Sequence, residues 1–378
     1  MGREFVALDH LLGVQVCYFR AVLCNCGCCL PRTASGDLAV STDQNTQIRL
    51  ASRPSGWVTS DNFSVTEEAV AKPADGEVLV RNIFMSVDPY MRGRMNDVKS
   101  YIPPFQIGEV LQAGVVGQVV ESRFDGIVEG DFVTGMLGWE NYSVSDGRLL
   151  RKVPAGPVQL SYHLGILGMP GMTAYVGLIK IAEAKAGDNV FVTAASGAVG
   201  SVVGQLAKIH DCRVAGSAGS DEKVASLTEQ FGYNAAFNYK TSTSLGDSVR
   251  EACPDGVDVL FENVGGEILE AVLWNMRDYG RIALCGMIAD YNLEEPQPGP
   301  RGMMLMIGRR LKLQGFIVTD HPEACEEYVR KAIAWLQEGK LTYRESIADG
   351  VENAPQAFID LLKGRNIGKQ IVQLSDVS

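Results

Sequence analysis

The chain has 378 residues, 46% hydrophobic and 21% charged, enough for a sizeable core and about two or three domains. A formal charge of −11 excludes the basic footprint of a nucleic-acid or anionic-membrane binder. No run of about eighteen apolar residues is long enough to cross a bilayer, so small molecules are the expected partners of a soluble protein.

Residues 1–45 stand apart. Five of nine cysteines crowd into them, at Cys17, Cys24, Cys26, Cys28 and Cys29. CNCGCC at 24–29 invites a metal or redox reading but lacks the paired ligand set of a zinc site, with only His10 nearby. A secretory leader is disfavoured because Asp9 interrupts the apolar run and no small-residue cleavage site follows. The expected reading is an upstream extension, poorly ordered, ahead of a start near Val40 or Ser41. Cys212, Cys253, Cys285 and Cys325 are scattered through the remaining chain, as in a reduced, cytoplasmic protein.

From Gln47 to about Leu150, short apolar alternations broken by turns predict a β-rich domain. Strands are expected at Gly76–Val87, Ala113–Ser122 and Val128–Gly135. Asp88-Pro89 and Pro103-Pro104 mark loops, the usual carriers of substrate contacts. From Asn189 the rhythm becomes strand, glycine, helix. Apolar runs at Val190–Ala194, Arg213–Gly216, Ala235–Tyr239, Val257–Glu262, Arg281–Cys285 and Leu313–Val318 predict an α/β fold with a Rossmann-type, doubly wound parallel sheet. A helix over Pro322–Glu338 and a terminal strand over Lys369–Leu374 are expected to return to the first domain.

TAASGAVGSVVG at 193–204 joins a predicted strand to a helix whose Val199, Val202, Val203 and Leu206 recur at helical spacing. Ala195-x-Gly197-x-x-Gly200 has the form of a dinucleotide fingerprint with alanine at the first glycine position. A ligand-free turn is the competing reading. The end of the second strand, AGSAGSDEK, offers no carboxylate for an adenosine ribose, whereas Lys223 and the helix start near Ser220 suit a 2′-phosphate. NADPH is therefore favoured over NADH; without this context Lys223 would read as a solvated surface lysine. Asn263 of FENVGG and Tyr291 of CGMIADYN lie at strand carboxyl ends, where such sheets bind ligands. Each has a bland alternative, turn-holding and packing respectively.

Taken together, VDPYMRGRM (87–95), LGMPGMTAY (167–175), GSDEK, FNYK, ENVGG, CGMIADYN, GFIV and ENAPQAFIDLLKGRNIGK (352–369) resemble the zinc-independent medium-chain dehydrogenase/reductases. The likeness is strongest to the NADPH-dependent double-bond reductases, the group of prostaglandin, alkenal and curcumin reductases. It runs from about Ile48 to the carboxyl terminus, and the first 44 residues have no counterpart. The resemblance implies a GroES-like substrate domain over 46–165, a Rossmann NADPH domain over 166–313 and a return segment over 314–378. It implies that Gly197, Ala198, Val199 and Gly200 hold the pyrophosphate and that Lys223 and Tyr239 face the 2′-phosphate. Asn263 would contact the cofactor, and Cys285, Gly286, Met287, Ile288, Ala289, Asp290 and Tyr291 would line its nicotinamide side. Phe316, Ile317 and Val318 would lie under the ring, and Asn366 would close over it. Tyr291 becomes the candidate for polarising the substrate carbonyl or relaying a proton, and Tyr90 a pocket wall. A homodimer is the family expectation.

After residue 45 only His163, His210, His321 and four isolated cysteines remain, so no zinc site is expected. The expected reaction is reduction of the carbon–carbon double bond of an enone or enal. A quinone reductase of the same superfamily and a non-catalytic NADPH-binding protein are the alternatives.

Overall fold

The computed structural model of the chain describes residues 44–377 apart from 155, 157 and 296. The expected upstream extension, including the 24–29 cysteine cluster, lies outside the described residues except for Gln44 and Asn45, which open the first strand.

The amino-terminal half is built from antiparallel strands whose alternate residues turn inward. Strand β1 (Gln44–Leu50) pairs with β2 (Phe63–Ala69), with Leu50 opposite Phe63. Then come β3 (Glu77–Ser86), a single helical turn α1 (Met91–Arg94), β4 (Gln112–Ser122), β5 (Phe132–Gly138), β6 (Tyr142–Asp146) and β7 (Arg151–Lys152). Val78, Val80, Val115, Val133 and Trp139 fill the core between them. The strand expected over Val128–Gly135 starts only at Phe132. Asp131 accepts a hydrogen bond from the Val128 amide at 2.8 Å, and Gly130 takes φ +88°, so 128–131 is a turn.

Helix α2 (Met169–Tyr175) runs into a π-helical turn over Val176–Ile181. The alternating part follows as β8 (Asn189–Val192), α3 (Gly200–Ile209), β9 (Arg213–Ala218), α4 (Asp221–Glu229), β10 (Ala235–Asn238), α5 (Leu245–Ala252), β11 (Val257–Glu262), α6 (Gly266–Asn275), β12 (Met276–Leu284), α7 (Leu305–Gly308) and β13 (Lys312–Gly315). Their order is β10-β9-β8-β11-β12-β13, all parallel, so the expected doubly wound sheet is observed and its order reverses between β8 and β11. Every residue of β8 is buried, as a central strand covered by helices on both faces requires. The sixth strand stops at Gly315 rather than Val318. Phe316 turns inward instead, its ring edge-on to Phe261 at 6.4 Å.

Helix α8 (Pro322–Gln337) packs on α2, where the Tyr328 hydroxyl donates to the Ile166 carbonyl at 2.8 Å. Strand β14 (Glu345–Asp349), α9 (Ala354–Leu362) and β15 (Lys369–Gln373) complete the chain. Strand β15 pairs antiparallel with β3, and the second sheet reads β14-β15-β3-β4-β5-β7 with β6 beside β3. This return passes directly over the glycine turn, since the Gly368 amide donates to the Ser196 carbonyl at 2.8 Å.

Candidate active site

The glycine turn explains its own missing glycine. The tight bend falls on Ala194, at φ +47°, while Ala195 is fully buried. A side chain on Gly216 of β9 would put its Cβ 2.7 Å from the Ala195 methyl, so the alanine occupies space that the neighbouring strand leaves open. Gly200 has no such freedom. A Cβ there would lie 2.6 Å from the Ala194 carbonyl oxygen and 2.7 Å from the Ala195 Cα, so α3 starts against the backbone of the turn. Gly197, Ala198 and Val199 remain partly exposed between them. The Ser201, Val202 and Val203 amides donate to the Gly197 and Val199 carbonyls at 3.0 Å, so what the turn presents to the cleft is the positive end of α3 and the backbone just before Ser201.

At the end of β9, the Ser220 hydroxyl caps α4 by accepting from the Lys223 amide at 3.3 Å. The Lys223 ammonium donates to the Gly364 carbonyl at 2.6 Å, which ties the half-buried side chain to the return segment. Burial and then the charge of Lys240 lower its pKa. A Cβ on Gly219 would stand 3.1 Å from the Tyr239 hydroxyl and 3.3 Å from the Lys240 Cε, so these two side chains meet at this corner, with Lys240 near enough to act on Lys223. Asp221 and Glu222 are exposed, accepting from Asn238 at 2.8 Å and Arg344 at 3.5 Å, and Glu222 still acts on the Lys223 charge. Two ammonium groups and a phenol, with the neighbouring carboxylates exposed and bonded to Asn238 and Arg344, fit a 2′-phosphate.

The loops after β11 and β12 are knitted together. The Cys285 and Gly286 amides donate to the Glu262 carbonyl at 2.9 and 3.1 Å, and the Ile288 amide to the Asn263 carbonyl at 3.1 Å. The Asn263 side chain donates to the Thr193 carbonyl at 2.8 Å, so it holds the glycine turn. Beneath it, the wholly buried Glu262 carboxyl accepts from Thr193 Oγ1, from the Val264 amide and from the Gly265 amide. Burial outweighs these hydrogen bonds and pushes it up to about 7. Cys285 is pushed up to about 12, by burial first and Glu262 second. Tyr291 folds back over this loop, its hydroxyl oxygen accepting from the Met287 amide at 3.5 Å. That bond uses a lone pair and leaves the phenolic proton free to be donated, and burial keeps the phenol protonated.

Opposite stands the loop around α1. Tyr90 is pushed up by burial and by Asp88, with the Arg94 guanidinium acting against them. Tyr101 interacts electrostatically with Cys285, Arg94 and Asp88, and Tyr291 with Cys285, Tyr101 and Asp290. Tyr101, itself 63% exposed, lies within electrostatic reach of both Tyr90 and Tyr291. Tyr101 escapes sequence reasoning because it sits in the 97–106 loop, whose conformation no periodicity sets. Lys240 escapes because it lies one residue beyond the tyrosine of FNYK. Phe316 and Val318 pack against the Rossmann core, and Phe316 meets Phe261 where Gly177 of the π-helical turn approaches. Ile317 is half-buried beside them. The Asn366 amide donates to the Gly368 carbonyl at 2.8 Å, which braces the loop lying over the glycine turn. Among the described residues, no group of three or more His, Cys, Asp or Glu side chains is arranged to hold a metal ion.

A parallel sheet with a helix-capped glycine turn, set against a β-rich domain that walls the other side of the cleft, defines a two-domain nucleotide-dependent oxidoreductase. Residues 46–153 match the family model described as the N-terminal domain of oxidoreductase, and 198–338 match that described as zinc-binding dehydrogenase. The chain is 44% identical to the NADPH-dependent curcumin reductase of Escherichia coli, over 86% of this chain and 96% of that protein. It is 44% identical to the NADP-dependent 2-alkenal reductase of Nicotiana tabacum, over 88% and 98%. The crystal structure of CurA in complex with NADPH from Vibrio vulnificus superposes with a TM-score of 0.84 at 41% identity, covering 88% of this chain and all of that one. The chain belongs to the medium-chain dehydrogenase/reductases, in the group of NADP-dependent double-bond reductases.

Proposed function

We propose that this chain reduces the carbon–carbon double bond of α,β-unsaturated ketones and aldehydes with NADPH, and that Tyr291 is the group facing the substrate carbonyl. Curcumin-like enones, alkenals and oxo-prostaglandin-like enones are the substrate classes. The observation that carries the reading is the Tyr291 hydroxyl, held over the Gly286–Met287 backbone with its proton free and two further tyrosines across the pocket. When bound, NADPH supplies the hydride that adds to the β-carbon.

Gly197, Ala198, Val199 and Gly200 would hold the pyrophosphate through helix-start amides. Lys223, with Tyr239 and Lys240, would hold the 2′-phosphate, which requires Lys223 to exchange its Gly364 acceptor for phosphate oxygens. Asn263 and the 285–290 loop would shape the nicotinamide side, with Phe316, Ile317 and Val318 behind the ring and Asn366 over the turn. As the β-carbon gains a hydride, negative charge collects on the carbonyl oxygen. A phenol already aimed at that oxygen stabilises the transition state more than the ground state. The resulting enolate takes a proton at its α-carbon, and solvent suffices as the source.

The proposal keeps the division into a substrate domain over 46–165, a nucleotide domain over 166–313 and a return segment over 314–378. It also includes a homodimer formed through the sheet edge. Among the described residues strand β13 has no partner on its outer side in the sheet order, and Met304 and Ile307 just before it are 76% and 82% exposed. A cytoplasmic location fits the four described cysteines, all free thiols. No described helix is long and apolar enough to cross a membrane. The deciding experiment is NADPH consumption over a panel of enals, enones, dienones and quinones. Enone-dependent oxidation with a saturated ketone as product supports the reading, and consumption with quinones alone overturns it.

A further inference from the structure

Two guanidinium groups of the α1 segment are buried without a carboxylate opposite them. Arg92 is 2% exposed and Arg94 6%, and neither belongs to an ion pair among the described residues. Neutral oxygens hold both. Arg92 donates to Asn292 Oδ1 at 3.1 Å, Asn96 Oδ1 at 2.7 Å and the Gly56 carbonyl at 2.9 Å. Arg94 donates to the Pro103 carbonyl at 2.9 Å and Gln112 Oε1 at 3.0 Å, and its plane lies 4.0 Å from the Phe105 ring centroid. The remaining Arg94 nitrogen, Nη1, is buried with no hydrogen-bond partner.

Burying a cation costs several kcal/mol unless a counter-ion or ligand answers it, and proteins usually place a carboxylate there. Here the carboxylates nearby are committed or suppressed. Asp88 sits 3.2 Å from the buried Lys369 ammonium, Asp290 is exposed, and Glu262 is pushed up to about 7 by burial. Cys285 stays a neutral thiol. The buried Lys369 ammonium faces Asp88 and Glu345, and among the described residues no carboxylate stands against Arg92 or Arg94. Arg94 interacts with the hydroxyls of both Tyr90 and Tyr101. Arg92 lies behind Tyr291, joined to its chain neighbour Asn292.

We propose that Arg94, reinforced by Arg92, makes the tyrosine pocket electropositive, so that it selects ligands whose conjugated oxygen is or becomes anionic: enolates in the reaction, and phenolates as inhibitors. The proposal rests on the reading that the substrate carbonyl enters this pocket. In it the arginines take the part that a Lewis-acidic metal would take elsewhere, acting through the tyrosine hydroxyls rather than by direct contact.

The test is a titration that does not depend on turnover. A nitrophenol is bound to the full chain saturated with NADP, and its phenolate absorbance is followed against pH. Competition with an enone in the NADPH assay locates the probe. The expected result is a competitive probe whose ionisation moves at least about one pH unit below that of free nitrophenol, the size of shift an opposite charge within a few ångströms produces. Arg94→Met should remove most of the shift, and Arg94→Lys, which keeps the charge, should restore part of it. A probe that does not compete, that ionises as it does in water, or that keeps its shift in a folded Arg94→Met protein overturns the proposal. If Arg94→Met does not fold, the wild-type titration and the Lys variant still decide. Failure of the carbonyl-site reading shows separately, as unchanged turnover in Tyr291→Phe.

Discussion

The two ends of the cleft are made in opposite ways. At the nucleotide end, backbone does most of the work. Gly200 lets α3 start against the turn, Ala195 fits only because Gly216 faces it, and the contacts on offer are amides at a helix start. At the proposed substrate end, side chains would do the work, with Tyr90, Tyr101 and Tyr291 drawn from segments nearly two hundred residues apart in the chain. A backbone site tolerates changes in residue type wherever a Cβ fits and fails abruptly where it does not. A side-chain site should degrade in graded steps, one interaction at a time.

That contrast can be broken experimentally. The largest effect is expected at Gly200→Val, whose Cβ collides with the Ala194 carbonyl. NADPH binding should be lost by calorimetry, whereas Gly197→Ala, with its nearest contact at 3.3 Å, should stay folded and bind more weakly. If Gly200→Val binds normally, the turn is not the rigid element described here. Next comes Tyr291→Phe. Loss of one transition-state donor should lower kcat by roughly 10- to 100-fold while NADPH affinity stays nearly constant in fluorescence titration. Lys223→Ala should follow, weakening NADPH by about 10-fold and NADH far less, as expected for one charge-assisted hydrogen bond. Equal losses for both nucleotides would remove Lys223 from the phosphate site.

On turnover the smallest effect is expected at Glu262, which sits between the two ends. Its folded-state carboxyl is raised from 4.5 to about 7 by burial, against opposing hydrogen bonds from Gly265, Val264 and Thr193. A carboxyl that ionises less readily when folded favours the native state while protonated. Its contribution is therefore full below about pH 4.5 and is lost as pH rises toward 7. Glu262→Gln should flatten that stretch of the stability profile in urea melts, and an unchanged slope would show that another group titrates there.

Much of the nucleotide end was legible in the sequence because its parts are local. The strand, the glycine spacing, the helical periodicity of Val199–Leu206 and the uncharged end of β9 all lie within about thirty residues, and each follows from short-range sterics and charge. The six strands of the parallel sheet were legible for the same reason. Val128–Gly135 was misjudged at its start because apolar alternation outranked the turn at Gly130. The last strand was extended past Gly315 because apolarity alone does not show that Phe316 leaves the sheet to meet Phe261.

By itself, then, the sequence determined the sheet, the position of the turn and the preference for a 2′-phosphate, each a property of contiguous residues. Only the tertiary structure decided that Lys223 leans on Gly364, that Tyr101 comes within electrostatic reach of Tyr291, and that two arginines lie buried on neutral oxygens. Those facts depend on which distant segments share a desolvated space. Burial gives a charge or a hydroxyl most of its energetic weight, and no local pattern of residues records it.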